Sequence, residues 1–293
     1  SKGTQKNTKI VRREIVRTFT PGIQFDYEGS EANYLAALVR SPQSLNALAC
    51  LDISTGETIT SGLMDDEALE AELCKLPIRH ILVTGEDETN RVKTQWKTEI
   101  LVESLPVNYI SQSDAVDLLN LQYGISNILE FVATAAAAHA LGIAVKYSLK
   151  TQKRETLQHL RLPTSLHRPA SMVLGPKTAL HLDITGEIVD GTPTLFKVIN
   201  GSRSAMGSRK LKKWLLAPLK NPHEISTRQN AVKELCSKLF LALPEKLSQV
   251  YDLERIIARV TTGLANPRDT FALGTSLSLL GDFAKGLEGC KSN

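Results

Sequence analysis

The hydrophobic period changes once along this chain, and that change limits the fold more than any other feature. In the first part, short apolar runs recur. NYLAALVR, NALACLDIS, HILVTG and EILVESLP are each of strand length and bounded by turn-forming or polar residues. The turn Ser54-Thr55-Gly56-Glu57 folds NALACLDIS back on ETITSGL as an antiparallel pair. Ile10, Val11, Ile15 and Val16 predict a further strand over Lys9 to Phe19, ended by Pro21-Gly22. Helical spacing enters with DDEALEAELCKL, where Leu69, Leu73 and Leu76 share one face and Pro77 stops the run. HILVTG and EILVESLP are separated by a polar connector, and helices are predicted from about Ser113 to Leu121 and from Ser126 to about Lys150. Strands covered by helices predict an α/β unit over residues 21–171.

Beyond Pro169 the pattern shifts. MVLGPKTALHLDI has room for one more strand, but from Thr194 onward the spacing is helical. Two helix starts use the same device: Asn221-Pro222-His223-Glu224 and Asn266-Pro267-Arg268-Asp269 each put Asn at the N-cap, Pro in the first turn and a carboxylate at the third position. Between them Leu253, Ile256, Ile257 and Val260 form an apolar stripe that Gly263 ends. The predicted architecture is therefore an α/β domain, 21–171, followed by an all-α region, 172–293.

A net charge of +4 is too small to mark the whole chain as a nucleic-acid binder, so any such signal is local. The apolar run FVATAAAAHALGIAV is interrupted by Thr134, His139 and Gly142 and falls short of the roughly 20 residues a membrane span needs. Cys50, Cys74, Cys236 and Cys290 are scattered without metal-ligand spacing, which predicts reduced thiols in a cytoplasmic protein and no metal site. GPKT is not a phosphate loop, because Pro176 stands where a glycine must precede Lys177 and removes an N–H that would point at phosphate. No histidine pair or nucleophile elbow is present, and no catalytic residue is assigned.

Two stretches carry competing readings. Asp52 sits at a strand end before a hairpin, where a ribonuclease H-like nuclease places its first metal carboxylate. Glu57 lies across the turn, and Asp114 or Asp117 would supply another carboxylate of such a two-metal site; none stands in a spacing that forces convergence, so polarity at a strand end is the better account of Asp52. The second stretch is SAMGSRKLKKWLLAPL. On a helix, Arg209, Lys210, Lys212 and Lys213 lie on one side and Leu211, Trp214 and Leu215 on the other. The basic side is either a solvated face over a packed apolar one or a set of DNA-backbone contacts, and the apolar side is expected to seat the helix in a bundle through Trp214.

This stretch, with Met206, Gly207, Arg209, Trp214 and Pro218, followed by Arg228 in the next helix, resembles the start of the core (lever) domain of the MutS family of DNA mismatch repair proteins. DLERIIARV with Leu253, Glu254 and Arg255, ANPRDTFAL with Arg268 and Asp269, LDISTGE, LNLQYG and REIVRTFTPG stand in the order the family has them. The resemblance implies that residues 1–20 are the tail of the mismatch-recognition domain, 21–171 the connector domain with a ribonuclease H-like sheet, and 172–293 the first part of the core. The chain begins with Ser and is expected to be a piece of a longer protein. The family's Phe-x-Glu mismatch-reading motif and its ATP loop do not occur in this sequence. The resemblance thus implies a chain that neither hydrolyses ATP nor reads mismatches, with ATP, magnesium and homodimerisation belonging to the parent protein. Its role would be to couple the parent's ATPase to its DNA-binding end and to offer a MutL-type partner a docking surface. DNA would be met in the context of the full-length protein, and no membrane is involved.

Overall fold

The computed structural model describes residues 16–24, 31–73, 76–96, 100–166, 171, 172, 174, 176–184, 193–236, 243–288 and 290. Among these residues six strands form one sheet in the order β5-β4-β1-β2-β3-β6. They are β1 (Tyr34–Arg40), β2 (Asn46–Asp52), β3 (Glu57–Thr60), β4 (Ile78–Thr84), β5 (Leu101–Leu105) and β6 (Thr164–Ser165). β1, β2 and β3 form an antiparallel meander, while β4 joins β1, β5 joins β4 and β6 joins β3 in parallel. The central strands are buried on both faces, which is why β1 and β2 read as nearly continuous apolar runs.

Alternate residues serve alternate layers. Leu35, Ala37, Ala49 and Leu51 face α3 (Gln112–Tyr123) and α4 (Ala135–Gln152), whereas Tyr34, Ala36, Leu48 and Cys50 share a second core with Leu69 and Leu73 of α1 (Asp66–Leu73) and Val92 of α2 (Glu86–Trp96). Small residues let the helices of the first layer approach closely. A Cβ at Gly142 of α4 would lie 2.5 Å from the Ala115 Cβ of α3. This explains an alanine-rich helix far better than membrane affinity does, and among the described residues no helix is long and apolar enough to span a bilayer.

Several sequence expectations are corrected. The polar connector between β4 and β5 is helix α2, missed because Glu86, Asp87 and Glu88 crowd its first turn and, among its described side chains, Val92 is the one in the core cluster. The helix expected from Ser126 is broken: a single 3-10 turn spans Ile128–Glu130, and α4 starts only where the Thr134 side chain accepts from the Ala137 N–H. The strand expected over Lys9 to Phe19 lies mostly outside the described residues, and 16–19 are not strand; Thr20 instead forms an isolated bridge with Ile23. Where another strand was expected after Pro169, Ser171 bridges Leu219 and α5 (Pro176–His181) follows; the additional strand of the sheet is the two-residue β6.

The second part is helical, as its period predicts: α6 (Leu195–Ile199), α7 (Ala205–Leu216), α8 (Pro222–Leu235), α9 (Leu243–Leu247), α10 (Leu253–Thr261), α11 (Pro267–Ser278) and α12 (Leu280–Leu287). Both Asn-Pro starts cap as expected, and Asn266 with Asp269 forms a reciprocal capping box. The expected stripe of α10 is split. Ile256 is buried, but Ile257 and Val260 are exposed, and the neighbouring Ala258 joins the core of the α/β part.

Candidate functional site: the seam between sheet and helices

Helices α7 and α10 lie against the α/β part along a seam built largely from charged groups. Asp252 caps α10, and its carboxylate receives two hydrogen bonds from the Arg209 guanidinium, each 2.8 Å. The same guanidinium donates to Glu254 at 2.7 Å, and Glu254 also takes Arg161, from the segment that leads to β6, at 3.1 Å. Only 6% of the Arg209 side chain is exposed. Burial works against its charge, but the two carboxylates more than offset this and raise its pKa. Asp252 responds in the opposite sense: burial alone would raise its carboxyl, yet Arg209 and Arg255 bring it below the usual range.

The other basic residues of α7 reach across to the sheet. Lys212 pairs with Glu31 at 2.5 Å, and Lys213 pairs with Glu57 at the start of β3. Glu57 also accepts from the Tyr34 hydroxyl at 2.7 Å. Burial pushes the Glu57 carboxyl up, but Lys213, Tyr34 and Arg161 together hold it below its ordinary value. From α10, Arg255 donates to the Glu31 carbonyl at 2.6 Å. At the far end of the helix, the Arg154 guanidinium donates to the Thr262 carbonyl.

The hairpin that carries Glu57 is held in shape by local contacts. Asp52 is fully buried; one carboxylate oxygen accepts from the Ser54 N–H at 2.9 Å and its hydroxyl at 2.7 Å, and the other from the Asn33 N–H at 3.3 Å. Gly56 has φ +73°, and a Cβ there would fall 2.1 Å from the His159 carbonyl oxygen, so no other residue fits without displacing backbone. The His159 ring in turn donates through Nε2 to the Ile53 carbonyl at 2.8 Å.

This geometry does not support the nuclease alternative. Asp52 holds its own turn, Glu57 is engaged by Tyr34 and Lys213, and Asp114 and Asp117 are exposed on α3. Among the described residues no three candidate ligands gather to hold a metal ion. Three of the cysteines, Cys50, Cys236 and Cys290, are free thiols, and burial pushes the Cys50 thiol far up; Cys74 lies outside the described residues.

The seam also joins sequence motifs that are far apart. MGSR meets DLER through Arg209, LDISTGE meets α7 through Glu57, and DLERIIARV meets ANPRD through Arg259 and Asp269 at 2.5 Å. Thr20 of the FTPG stretch contacts the buried His80 ring at 3.2 Å, and Gly22 leaves room for that side chain. Profiles of two MutS domains match the chain: MutS domain II over residues 33–161 and MutS domain III over residues 177–293. The chain belongs to the MutS family. It is 34% identical over 288 residues to the DNA mismatch repair protein MutS of Desulforamulus reducens, a match covering 92% of this chain and 32% of that protein. The MutS of Solibacter usitatus is 36% identical over 289 residues, again 92% of this chain and 32% of the relative, and that of Methanosarcina barkeri is 31% identical over 304 residues, 94% and 33%. The chain thus spans about a third of the length of these MutS relatives.

Within this MutS frame the sequence-derived residues fall as follows. Arg209, Lys212 and Lys213 are engaged by carboxylates, a partner that neither sequence reading of the basic side of α7 included, while Lys210 and Lys213 remain exposed. Lys210 is exposed, 5.8 Å from the Trp214 ring centroid. Trp214 is 39% exposed and does not seat α7 by full burial; the Arg228 guanidinium of α8 stacks on it at 3.8 Å instead. Met206, Gly207 and Leu253 are half-buried, the Pro218 carbonyl accepts from the Met172 N–H at 2.6 Å, and Arg268 is exposed. Sequence reading missed Glu31 and Arg161, which sit 181 and 93 residues from their partners and carry no local signal. Asp252 was findable as an N-cap before a helical stripe.

Proposed function

We propose that this chain is the connector-to-lever joint of a MutS mismatch repair protein and that it transmits conformation between the parent's nucleotide-handling and DNA-holding ends. The observation that carries this reading is the seam. It is clamped by oriented charge pairs and backbone hydrogen bonds, with apolar contribution from Ala258 and Leu264. Such a joint keeps two rigid bodies in register and can re-pair in a second arrangement, which transmission over distance requires. The α/β surface away from the seam is the part free to dock a MutL-type partner, and the parent would supply ATP, magnesium and the dimer. Of the basic α7 residues, Lys210 is exposed and outside the ion pairs that engage Arg209, Lys212 and Lys213, which supports it as the candidate DNA-phosphate contact; this chain alone should show only weak, salt-sensitive and mismatch-blind DNA affinity.

The test is a double charge reversal, Lys212→Glu with Lys213→Glu, placed at the equivalent sites of a full-length MutS relative. Basal ATP turnover and mismatch binding should persist, while the change in ATP turnover on adding mismatched duplex should be lost. Retention of the full DNA-dependent change by a folded variant would sink the coupling role. Tight mismatch preference in a gel shift with the 293-residue chain would sink the DNA reading.

A further inference from the structure

The buried positions of β4 are the aliphatic Ile78, Ile81, Leu82 and Val83 and, among them, His80, which is 0% exposed. An imidazole in such a place costs free energy unless polar partners meet its nitrogens, whereas an aliphatic side chain would pack there without that cost. Both nitrogens have a polar atom beside them. Nε2 stands 3.1 Å from a carboxylate oxygen of Glu103 on β5, and Nδ1 stands 3.2 Å from the Thr20 hydroxyl. The same Glu103 oxygen accepts from the Tyr147 hydroxyl of α4 at 2.7 Å, and the Tyr147 ring meets that of His80 edge to face at 5.6 Å. Burial lowers the His80 pKa more than Glu103 raises it, so the ring is neutral near pH 7. Glu103 keeps the ring proton on Nε2, which leaves Nδ1 to accept from the Thr20 hydroxyl.

Thr20 opens the turn Thr20-Pro21-Gly22-Ile23, in which the Ile23 N–H donates to the Thr20 carbonyl at 2.9 Å. Ile23 is fully buried, and a Cβ at Gly22 would lie 2.8 Å from the His80 Cβ, so the chain enters the core directly against β4. Upstream of the turn the hold changes character. Val16 and Phe19 are 73% and 58% exposed, so their burial does not fasten the segment. Its ties are polar: the Thr18 N–H donates to the Thr151 carbonyl at 2.8 Å, the Gln152 amide donates to the Thr18 carbonyl at 3.1 Å, and Thr20 meets His80. We propose that His80, aligned by Glu103 and Tyr147, is a latch that clasps residues 16–20 onto the α/β part through the Thr20 hydroxyl. Opened, it frees that segment up to the Ile23 anchor while the sheet stays intact; closed, it fixes the direction in which the preceding chain leaves. What that chain carries rests on the proposed reading, in which residues 1–20 are the tail of the mismatch-recognition domain; the latch then sets how the connector bears that domain.

Amide hydrogen exchange of the 293-residue chain, followed by NMR, tests the latch without a coupling assay, so its failure and that of the transmission reading are told apart. Thr20→Val keeps the shape and removes the hydroxyl; Thr20→Ser keeps the hydroxyl. In Thr20→Val the Thr18 and Ile23 amides should exchange about threefold to tenfold faster while those of β2 change less than about 1.5-fold, and Thr20→Ser should stay within about twofold of the unaltered chain. The Nδ1 resonance of the His80 ring should move in Thr20→Val and hold in Thr20→Ser, a signature that a merely space-filling threonine would not produce. Unchanged exchange at Thr18 and Ile23 in Thr20→Val, equal acceleration in β2, or a Thr20→Ser chain as fast as Thr20→Val would overturn the latch.

Discussion

Arg209→Met tests the physics of the seam most directly. The side chain is 6% exposed and donates three hydrogen bonds of 2.7 to 2.8 Å to Asp252 and Glu254, whose side chains are 19% and 31% exposed. A charge-assisted hydrogen bond is worth about 1.5 to 3 kcal/mol, and removing one partner of a buried pair costs about 3 to 5 kcal/mol. Partial rehydration of the two carboxylates and the retained methylene packing of Met lower this, so the expected loss is about 2 to 4 kcal/mol. Against a total stability of about 5 to 15 kcal/mol that is a large fraction. Urea unfolding of Arg209→Met, Asp252→Asn and the double variant should give a coupling of about 1.5 to 3 kcal/mol near pH 7. The pH dependence supplies a second check. Because the folded Asp252 carboxyl titrates below its unfolded value of about 3.9, the stabilisation is fully present above that pH and is lost as pH falls through the folded value. A coupling below about 0.5 kcal/mol near pH 7, or one that does not shrink on acidification, would refute the assignment of Arg209 as the clamp of the seam.

Two further expectations follow from the hairpin. Gly56→Ala must place a methyl against the His159 carbonyl at a backbone angle of φ +73°, so it should destabilise the chain by about 2 kcal/mol or more in urea, whereas an alanine at exposed Gly274, where nothing lies within 4 Å of a new Cβ, should not destabilise it. Lys213→Met removes the strongest of the interactions that hold the Glu57 carboxyl down and leaves burial to act, so its pKa, read by carboxyl-carbon NMR, should rise. In the unaltered chain the depressed Glu57 value stabilises the fold above the unfolded carboxyl pKa and ceases to do so as pH falls through the folded one. An unchanged Glu57 titration would rule out the Lys213 pair.

What the sequence by itself determined was the order of elements and the family. β1 to β5 and the two Asn-Pro helix starts were legible because strand length, helical period and capping act within a few residues of one another. Where a local signal was diluted it failed, as in α2, whose polar turns conceal a crossover helix, or β6, whose two residues are strand only because β3 lies beside them. The tertiary structure alone decided which groups face Arg209, Lys212 and Lys213 on α7. A helical wheel can separate Arg209, Lys212 and Lys213 from Leu211 and Leu215, but it cannot say what faces the cations. Solvent, phosphate and carboxylate all satisfy a positive charge, and the carboxylates that do so here, Glu31, Glu57, Asp252 and Glu254, come from stretches 43 to 181 residues away in the chain.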